Sequence, residues 1–392
     1  MNIQPMSSLL VDSFSGEWGT EDGEVLTRVL RTANFNPDGS LDYTTPALRC
    51  IPERKVMAKR LLRGDIILEK SGGTPDRPVG IMAYYDSDDV ALCSNFNHVL
   101  RFDSSMVNPF FMFHQLRWLR EKGAFAPYTR KTTGLQNLQM KAFVNLDLHV
   151  PTRRVQDEAA AAIKTIDSQR KSAYSLVSEL NELVKSRFVE MFGDPGINER
   201  KLPMDKLANL GTLERGKSKH RPRNAPELRG GPDGPYPLVQ TGDVTNAGLY
   251  LTEYSDTYTE LGLRQSKMWD KGTLCITIAA NIAQTSILGF DACFPDSVVG
   301  FISGNRVTNV FLHYWFGFFQ GILEAQAPQA AQKNINLKIL SGLDVIVPPI
   351  AEQEEFESFV HQVDKLKFET QQAIDKLQML YDSLAQEYFA ID

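Results

Sequence analysis

Cysteine is scarce in this chain, and the four present stand far apart. Cys50, Cys93, Cys275 and Cys293 form no CxxC pair. That excludes a cysteine-built zinc site and a disulfide framework, and it fits a reducing cytosol. Six scattered histidines give no metal-ligand spacing. Long hydrophobic runs are also missing. The longest, Val310 to Leu323, contains His313 and Gln320. It is too short to span a bilayer and is expected to be a buried helix. The opening MNIQPMSSLL lacks the basic-then-apolar order of a signal peptide. The expectation is a cytoplasmic protein without membrane contact. Positive charge is not in excess either. Lys and Arg number 42 against 48 Asp and Glu, for a net charge of -6. By overall charge this counts against a nucleic-acid binder, although charge averages over domains and the helices described next are acid-rich. No Ser or Cys has the neighbourhood of a catalytic nucleophile, and no other catalytic constellation stands out.

What the chain does have is a long internal repeat. The stretch from Asn137 recurs 197 positions later without a gap. Asn137-Leu138 aligns with Asn334-Ile335, Lys141 with Lys338, Val150-Pro151 with Val347-Pro348, and Gln156 with Gln353. The match continues through Asp167 and Asp364, Leu180 and Leu377, Leu183 and Leu380, Glu190 and Glu387, and Phe192 and Phe389. A repeat placed after each half of the chain indicates a tandem duplication of one globular arm followed by one long helix.

From Val155 to Phe192 there is neither Pro nor Gly. Apolar or small residues recur at a 3-4 spacing: Ile163, Ile166, Ala173, Val177, Leu180, Val184 and Met191. Their counterparts are Val360, Val363, Thr370, Ile374, Leu377, Tyr381 and Tyr388. This is a coiled-coil seam. Arg170 and Lys367 interrupt it at equivalent places, either to fix register or by snorkelling. Each helix of roughly 38 residues would run about 57 Å. Gly193-Asp194-Pro195-Gly196 stops the first. Two equal seams in one chain are natural partners. Antiparallel pairing would relate the arms by a pseudo-twofold axis, whereas parallel pairing would put both arms at one end. The expected fold is α+β: two mixed α/β arms, 1–150 and 198–348, with helices in 151–197 and 349–392.

The arms resemble each other only weakly. Arg63-Gly64-Asp65-Ile66-Ile67-Leu68 pairs with Lys271-Gly272-Thr273-Leu274-Cys275-Ile276, and Ala91-Leu92-Cys93-Ser94 with Ser297-Val298-Val299-Gly300. Short strands at 146–151 and 343–349 end in proline, and aromatic-rich helices are expected near 108–120 and 308–322. Basic residues cluster at Arg49, Arg54, Lys55, Lys59, Arg60 and Arg63, at Arg117, Arg120, Lys122, Arg130 and Lys131, and at Arg215, Lys217, Lys219, Arg221 and Arg223. Polar loops sit beside them: 132–137, 240–243 and 329–336. Such side chains can read base edges while Arg and Lys hold phosphates. Taken alone, however, basic clusters are more often solvated faces.

Gly211 to Ser218 spells GxxxxGK[ST], but no buried strand precedes it, and Pro222 and Pro226 oppose a following helix. A phosphate-cradling loop needs both, so a basic surface loop is the expected structure. Asn108-Pro109-Phe110 and Val347-Pro348-Pro349-Ile350 each lack part of the motif of an adenine methyltransferase.

Leu183 to Pro195 (LVKSRFVEMFGDP), Val347 to Gln353 (VPPIAEQ), Tyr236 to Val244 (YPLVQTGDV) and the Lys271-Gly272-Thr273-Leu274 turn together carry a specific likeness. In them the sequence resembles the DNA-specificity subunit of bacterial type I restriction-modification systems. The resemblance covers essentially the whole length. The first arm departs from it, with Pro151-Thr152-Arg153-Arg154 in place of the double proline. The resemblance implies a non-catalytic subunit. Each arm would be a target recognition domain reading half of a split site in double-stranded DNA. The paired helices would set the gap and carry two methyltransferase subunits, with two restriction-translocase subunits completing the complex. S-adenosylmethionine, ATP and magnesium would belong to those partners, and this chain would hold no cofactor or metal. The expected DNA contacts are Lys70, Arg130, Lys131 and Asn137 in the first arm. In the second they are Arg215, Lys217, Lys219, Arg221, Gln240, Thr241, Lys333 and Asn334. The alternatives are a coiled-coil protein-interaction scaffold that binds no DNA, and a P-loop enzyme resting on Gly211 to Ser218.

Overall fold

A computed structural model describes residues 3–23, 25–74, 77–132, 135–220, 222, 225–279, 282–318 and 335–390. Two compact units divide the chain, one of 1–174 with 372–392 and the other of 175–371. Each contains one arm and a part of both long helices. The helices run Arg153–Phe192 and Ile350–Phe389, 40 residues each, about 60 Å at 1.5 Å per residue. Their ends keep the 197-residue offset of the repeat. Gly193, with φ 76°, stops the central helix; its N–H reaches back to the carbonyl of Val189. A left-handed backbone at this position costs glycine little.

The first unit begins with Ile3–Pro5 paired antiparallel to Asp147–His149, so the start of the arm is clasped by the strand that leads into the central helix. A four-stranded antiparallel sheet follows in the order Leu10–Ser15, Asn97–Phe102, Ile66–Glu69, Met82–Tyr84. A second sheet orders Ala47–Cys50, Leu26–Leu30 and Ala91–Cys93, the last pair parallel. Ile66–Glu69 is buried along its whole length, as a central strand covered on both faces must be.

The second unit repeats this plan. Met204–Lys206 pairs with Asp344–Ile346. The larger sheet runs Gly211–Arg215, Val298–Ser303, Leu274–Thr277, Thr285–Leu288, with Tyr250–Leu251 added in parallel. The smaller one orders Asp256–Tyr258, Tyr236–Leu238, Ala292–Cys293 and Met268–Trp269. The pairing of 63–68 with 271–276 holds, since both lead into the central strand. The pairing of Ala91–Ser94 with Ser297–Gly300 does not. Val298–Ser303 occupies the place of Asn97–Phe102, and Ala91–Cys93 the place of Ala292–Cys293. Both are short apolar runs, and only their hydrogen-bonded neighbours tell them apart.

Each arm packs on the long helices through one aromatic-rich helix. In the first unit this is Pro109–Glu121, with Pro109 at its first position and Asn108 Oδ1 accepting from the N–H groups of Phe110 and Phe111. In the second it is Asn309–Phe316, capped by Thr308, whose Oγ1 accepts from Phe311 N. The latter helix ends at Phe316, earlier than expected from the apolar run, which continues into residues outside the described set. Phe111 meets Phe389 edge to face at 5.1 Å, and Phe311 meets Phe192 in the same way at 5.1 Å.

Within the first unit the core therefore joins the start of the central helix (Ala159, Ala160, Ile163) to the end of the C-terminal helix (Ala385, Phe389). Within the second it joins the end of the central helix (Leu180, Val184, Phe188, Phe192) to the start of the C-terminal one (Phe356, Val360, Val363). The helices pair antiparallel in each unit, and parallel pairing is excluded. Phe188 is fully buried among Phe192, Phe311 and Phe356, the kind of side chain whose truncation costs about 3–5 kcal/mol. Of the expected seam residues, Ile163, Ile166, Leu180, Val184, Val360, Val363 and Ile374 are buried. Val177 and Leu377 are only half-buried. In the last turns Phe188 and Phe192 take the inward places, and Met191 stands at their edge.

Candidate nucleic-acid interface

The first arm gathers its four expected contacts into one place. Thr129–Thr132 and Leu135–Leu138 form a β-hairpin, where a polar loop was expected at 132–137, and the hairpin pairs with Ser71–Gly73. Register puts Arg130 opposite Asn137 and Asn137 opposite Ser71, a polar row across three strands. Alternation makes these residues share a face. Ser71 Oγ donates to Asn137 Oδ1. Arg130 and Lys131 are exposed and make no ion pair among the described residues. Lys70 adjoins the row through its carbonyl, which accepts from Leu138 N. Its ammonium donates to Ser15 Oγ at 2.6 Å, and burial pulls its pKa below the usual lysine range. Lys70 is thus tied into the arm, whereas Arg130 and Lys131 reach into solvent.

In the second arm the GxxxxGK[ST] segment is not a phosphate loop. Gly211–Arg215 is an edge strand paired with Val298–Ser303, and residues 216–220 after it are not helical. The glycines serve close backbone approach. A Cβ at Gly211 would lie 2.3 Å from the carbonyl oxygen of Ile302, and one at Gly216 2.3 Å from that of Phe294. Gly16 plays the same part in the first arm, against Cys93 O at 2.2 Å.

Just beyond this glycine the arms diverge. Lys217 N donates to Phe294 O, as Glu17 N donates to Cys93 O. The equivalent position thus carries opposite charge in the two arms. Lys217 pairs with Glu214 at 3.0 Å, and Glu214 also holds Lys267, whose ammonium stands 3.8 Å over the Trp269 ring. The hydrogen bond from Lys267, and then that from Lys217, holds the Glu214 carboxyl below the usual range. Glu17 instead takes Lys55 and Lys59 at 3.0 and 3.1 Å.

Gln240 and Thr241 open a short helix, Thr241–Asn246, where a loop was expected. Asp243 Oδ2 accepts from Gln240 N at 2.7 Å. Val239 N donates to Cys293 O and Lys217 N to Phe294 O, so the 217 and 240 segments flank the same two residues. In the first arm Arg31 takes the place of Gln240, its N–H donating to Asn34 Oδ1 at 2.9 Å. Sequence reasoning missed Arg31, because only the strand order aligns it with Gln240. Arg215 donates from Nε to the Asp296 carbonyl, and Lys219 is exposed. Arg221, Lys333 and Asn334 lie outside the described residues.

Several cations of the first two basic clusters, unlike Arg130 and Lys131, are already engaged within the arm. Arg49 pairs with Glu21, Lys55 and Lys59 with Glu17, and Arg63 with Asp86 and Asp88. Arg117 and Arg120 donate to the carbonyls of residues 37–38 and 78–79. Among the described residues no group of acids, His and Cys could hold a metal ion, and no helix is long and apolar enough to cross a membrane.

Residues 206–378 match the family model of the type I restriction modification DNA specificity domain. A protein of Methanocaldococcus jannaschii named as the type I restriction enzyme MjaX specificity subunit is 20% identical over 341 residues, 84% of this chain and 78% of that protein. The crystal structure of the type I restriction-modification system S subunit from M. genitalium superposes with a TM-score of 0.57 at 14% identity, covering 100% of this chain and 96% of the other. A chain from a study of complex assembly and conformational transition of the type I R-M system gives 0.59 at 16% identity, with 99% and 97% covered. The two solved structures share the fold, arm and helix twice over; the domain match falls on the second arm and its helix, and the relative aligns along most of both chains. Residues 206–378 thus match the DNA-specificity domain of type I restriction-modification systems, and most of the chain is similar to a specificity subunit of such a system.

Proposed function

We propose that each arm reads one half of a split, asymmetric duplex site, and that the paired helices set the gap between the halves and carry two methyltransferase subunits. In this reading residues 1–150 and 198–348 are the recognition domains, and 151–197 and 349–392 the helices. The observation that carries it is one arm plan built twice on two helices of 40 residues, with different side chains at equivalent loop ends. Glu17 with two lysines and Lys217 with a glutamate would favour different edges, as two readers of different half-sites require. Two restriction-translocase subunits complete the complex. Methyl transfer with S-adenosylmethionine and translocation with ATP and magnesium belong to the partners, in the cytoplasm. The role of this chain is to sort DNA without catalysis.

Lys70, Arg130, Lys131 and Asn137 serve the first arm in this reading, and Arg215, Lys217, Lys219, Gln240 and Thr241 the second, with Arg221, Lys333 and Asn334 added from the sequence alone. Lys131 offers a cleaner test than Lys217, which Glu214 already holds. Lys131→Ala in the assembled complex is expected to weaken cognate and random duplexes alike, by roughly 3- to 10-fold. It is also expected to lower the dependence on log[salt] by about one unit. Fluorescence anisotropy across a KCl series reads both. A changed target preference, or an unchanged salt slope, would remove Lys131 from the phosphate contacts.

A further inference from the structure

The repeat contains a buried polar side chain that neither helix pairing nor DNA contact explains. Gln156 and Gln353 occupy the fourth position of their 40-residue helices. They are 1% and 0% exposed. A buried amide is retained only where its hydrogen bonds are met, and here the partners are the same in both units. Gln156 Oε1 accepts from the N–H of Asn108 at 2.8 Å, and Gln353 Oε1 accepts from the N–H of Thr308 at 3.0 Å. Asn108 and Thr308 are the capping residues of the two arm helices. The amide nitrogens donate to Pro151 O at 2.8 Å and Pro348 O at 2.9 Å, the carbonyls just before each long helix. Gln353 donates also to Arg306 O at 3.0 Å.

Each glutamine therefore bridges the first turn of a long helix and the capping residue of an arm helix. The surrounding contact is aromatic, Phe111 on Phe389 in one unit and Phe311 on Phe192 in the other. Apolar packing holds the arm on but tolerates sliding and rotation, because it has little directional preference. A pair of hydrogen bonds from a side chain fixed in a helix has direction. We propose that Gln156 and Gln353 are positioning residues that set the angle of each recognition arm on its helix, and through it the spacing of the half-sites. This rests on the reading of the arms as two DNA readers. The lever is large enough. A rotation of about 10° at the base of a body ~20 Å tall moves its far surface by about 3.5 Å, close to the ~3.4 Å rise of one base pair.

The test is the gap profile of the assembled methyltransferase complex on duplexes carrying both half-sites separated by gaps two base pairs shorter to two longer than the native one. Wild type is expected to methylate one gap. Gln353→Met keeps the length of the side chain and removes both hydrogen-bonding groups. It is expected to raise methylation at the neighbouring gaps at least tenfold relative to the native gap, with both half-site sequences unchanged. Gln156→Met with Gln353→Met is expected to widen the profile further. Val363→Ala, which removes buried volume from the same unit without touching the glutamine, is expected to lower the Tm and keep the wild-type profile. A Gln353→Met profile identical to wild type overturns the proposal. A second measurement covers an inactive variant. Spin labels at Lys271→Cys and Lys365→Cys, in a Cys50→Ser background, report the distance between arm and helix within the second unit of the complex. A distribution broadened by Gln353→Met supports the positioning role, and an unchanged one overturns it. If wild type methylates no two-part site at any gap, the DNA reading fails, and the spin-label widths alone decide whether the glutamine fixes the arm.

Discussion

One extra helical turn of four residues between Val177 and Leu183 is expected to lengthen the gap between half-sites by one to two base pairs, with neither half-site altered. Four residues add about 6 Å of helix, against about 3.4 Å per base pair along the duplex. Seven residues keep the phase of the seam and add about 10 Å, or roughly three base pairs. The segment suits an insertion because Ser178, Glu179, Asn181 and Glu182 are exposed and only Leu180 turns inward. The arms are untouched, since Gln353 and Phe311 hold the second arm at the helix ends and not in this stretch. Methylation of duplexes with graded gaps measures the shift. An active complex that keeps its original gap would contradict the role of the helices as a spacer.

The second large effect concerns partner binding. Leu183→Asp together with Leu380→Asp is expected to abolish stable association with the methyltransferase subunits. Leu183 and Leu380 are equivalent in the repeat, and they are 48% and 50% exposed. Ser186 and Glu190 follow Leu183 at the third and seventh positions, as Ser383 and Glu387 follow Leu380, and all four are exposed. That spacing places each triplet on one helix face. Folding does not demand a repeated leucine on a solvent face, whereas one partner bound twice would touch the same triplet in both copies. Losing a central apolar anchor costs about 2–4 kcal/mol, roughly 30- to 1,000-fold in affinity per site, and a buried unpaired aspartate adds to it. Leu183→Asp alone is expected to leave one methyltransferase copy per chain, and the double variant none. Native mass spectrometry of the co-expressed complex counts them. Two copies retained by the double variant would place the docking surface elsewhere.

The long helices were legible in the sequence because their signals are local. The heptad spacing, the Gly193-Asp194-Pro195 stop and the repeat together locate both, and the structure keeps the offset. The inward face of the last turns was less so. Phe188 and Met191 both continue a 3-4 pattern, and only the aromatic cluster of the second arm selects Phe188. The arms were the hard part. Their strands are mostly two to six residues long, too short for periodicity to separate Ala91–Cys93 from Asn97–Phe102, and pairing between distant segments settles which is which. Charge was misread for the same reason. Arg63 looks unopposed along the chain but meets Asp86 and Asp88, and Lys55 and Lys59 meet Glu17 from another element. Lys70, Arg130, Lys131 and Asn137 were picked from separate stretches, and the hairpin pairing on Ser71–Gly73 brings them together.

The most direct test of the central claim is a map of N6-methyladenine in host DNA with and without this gene. The account predicts that removal of the gene erases methylation at one motif only, two short and different blocks around a fixed gap, and that returning the gene restores it. Methylation unchanged at every two-part motif, in a host whose type I methyltransferase is expressed and active, would contradict it.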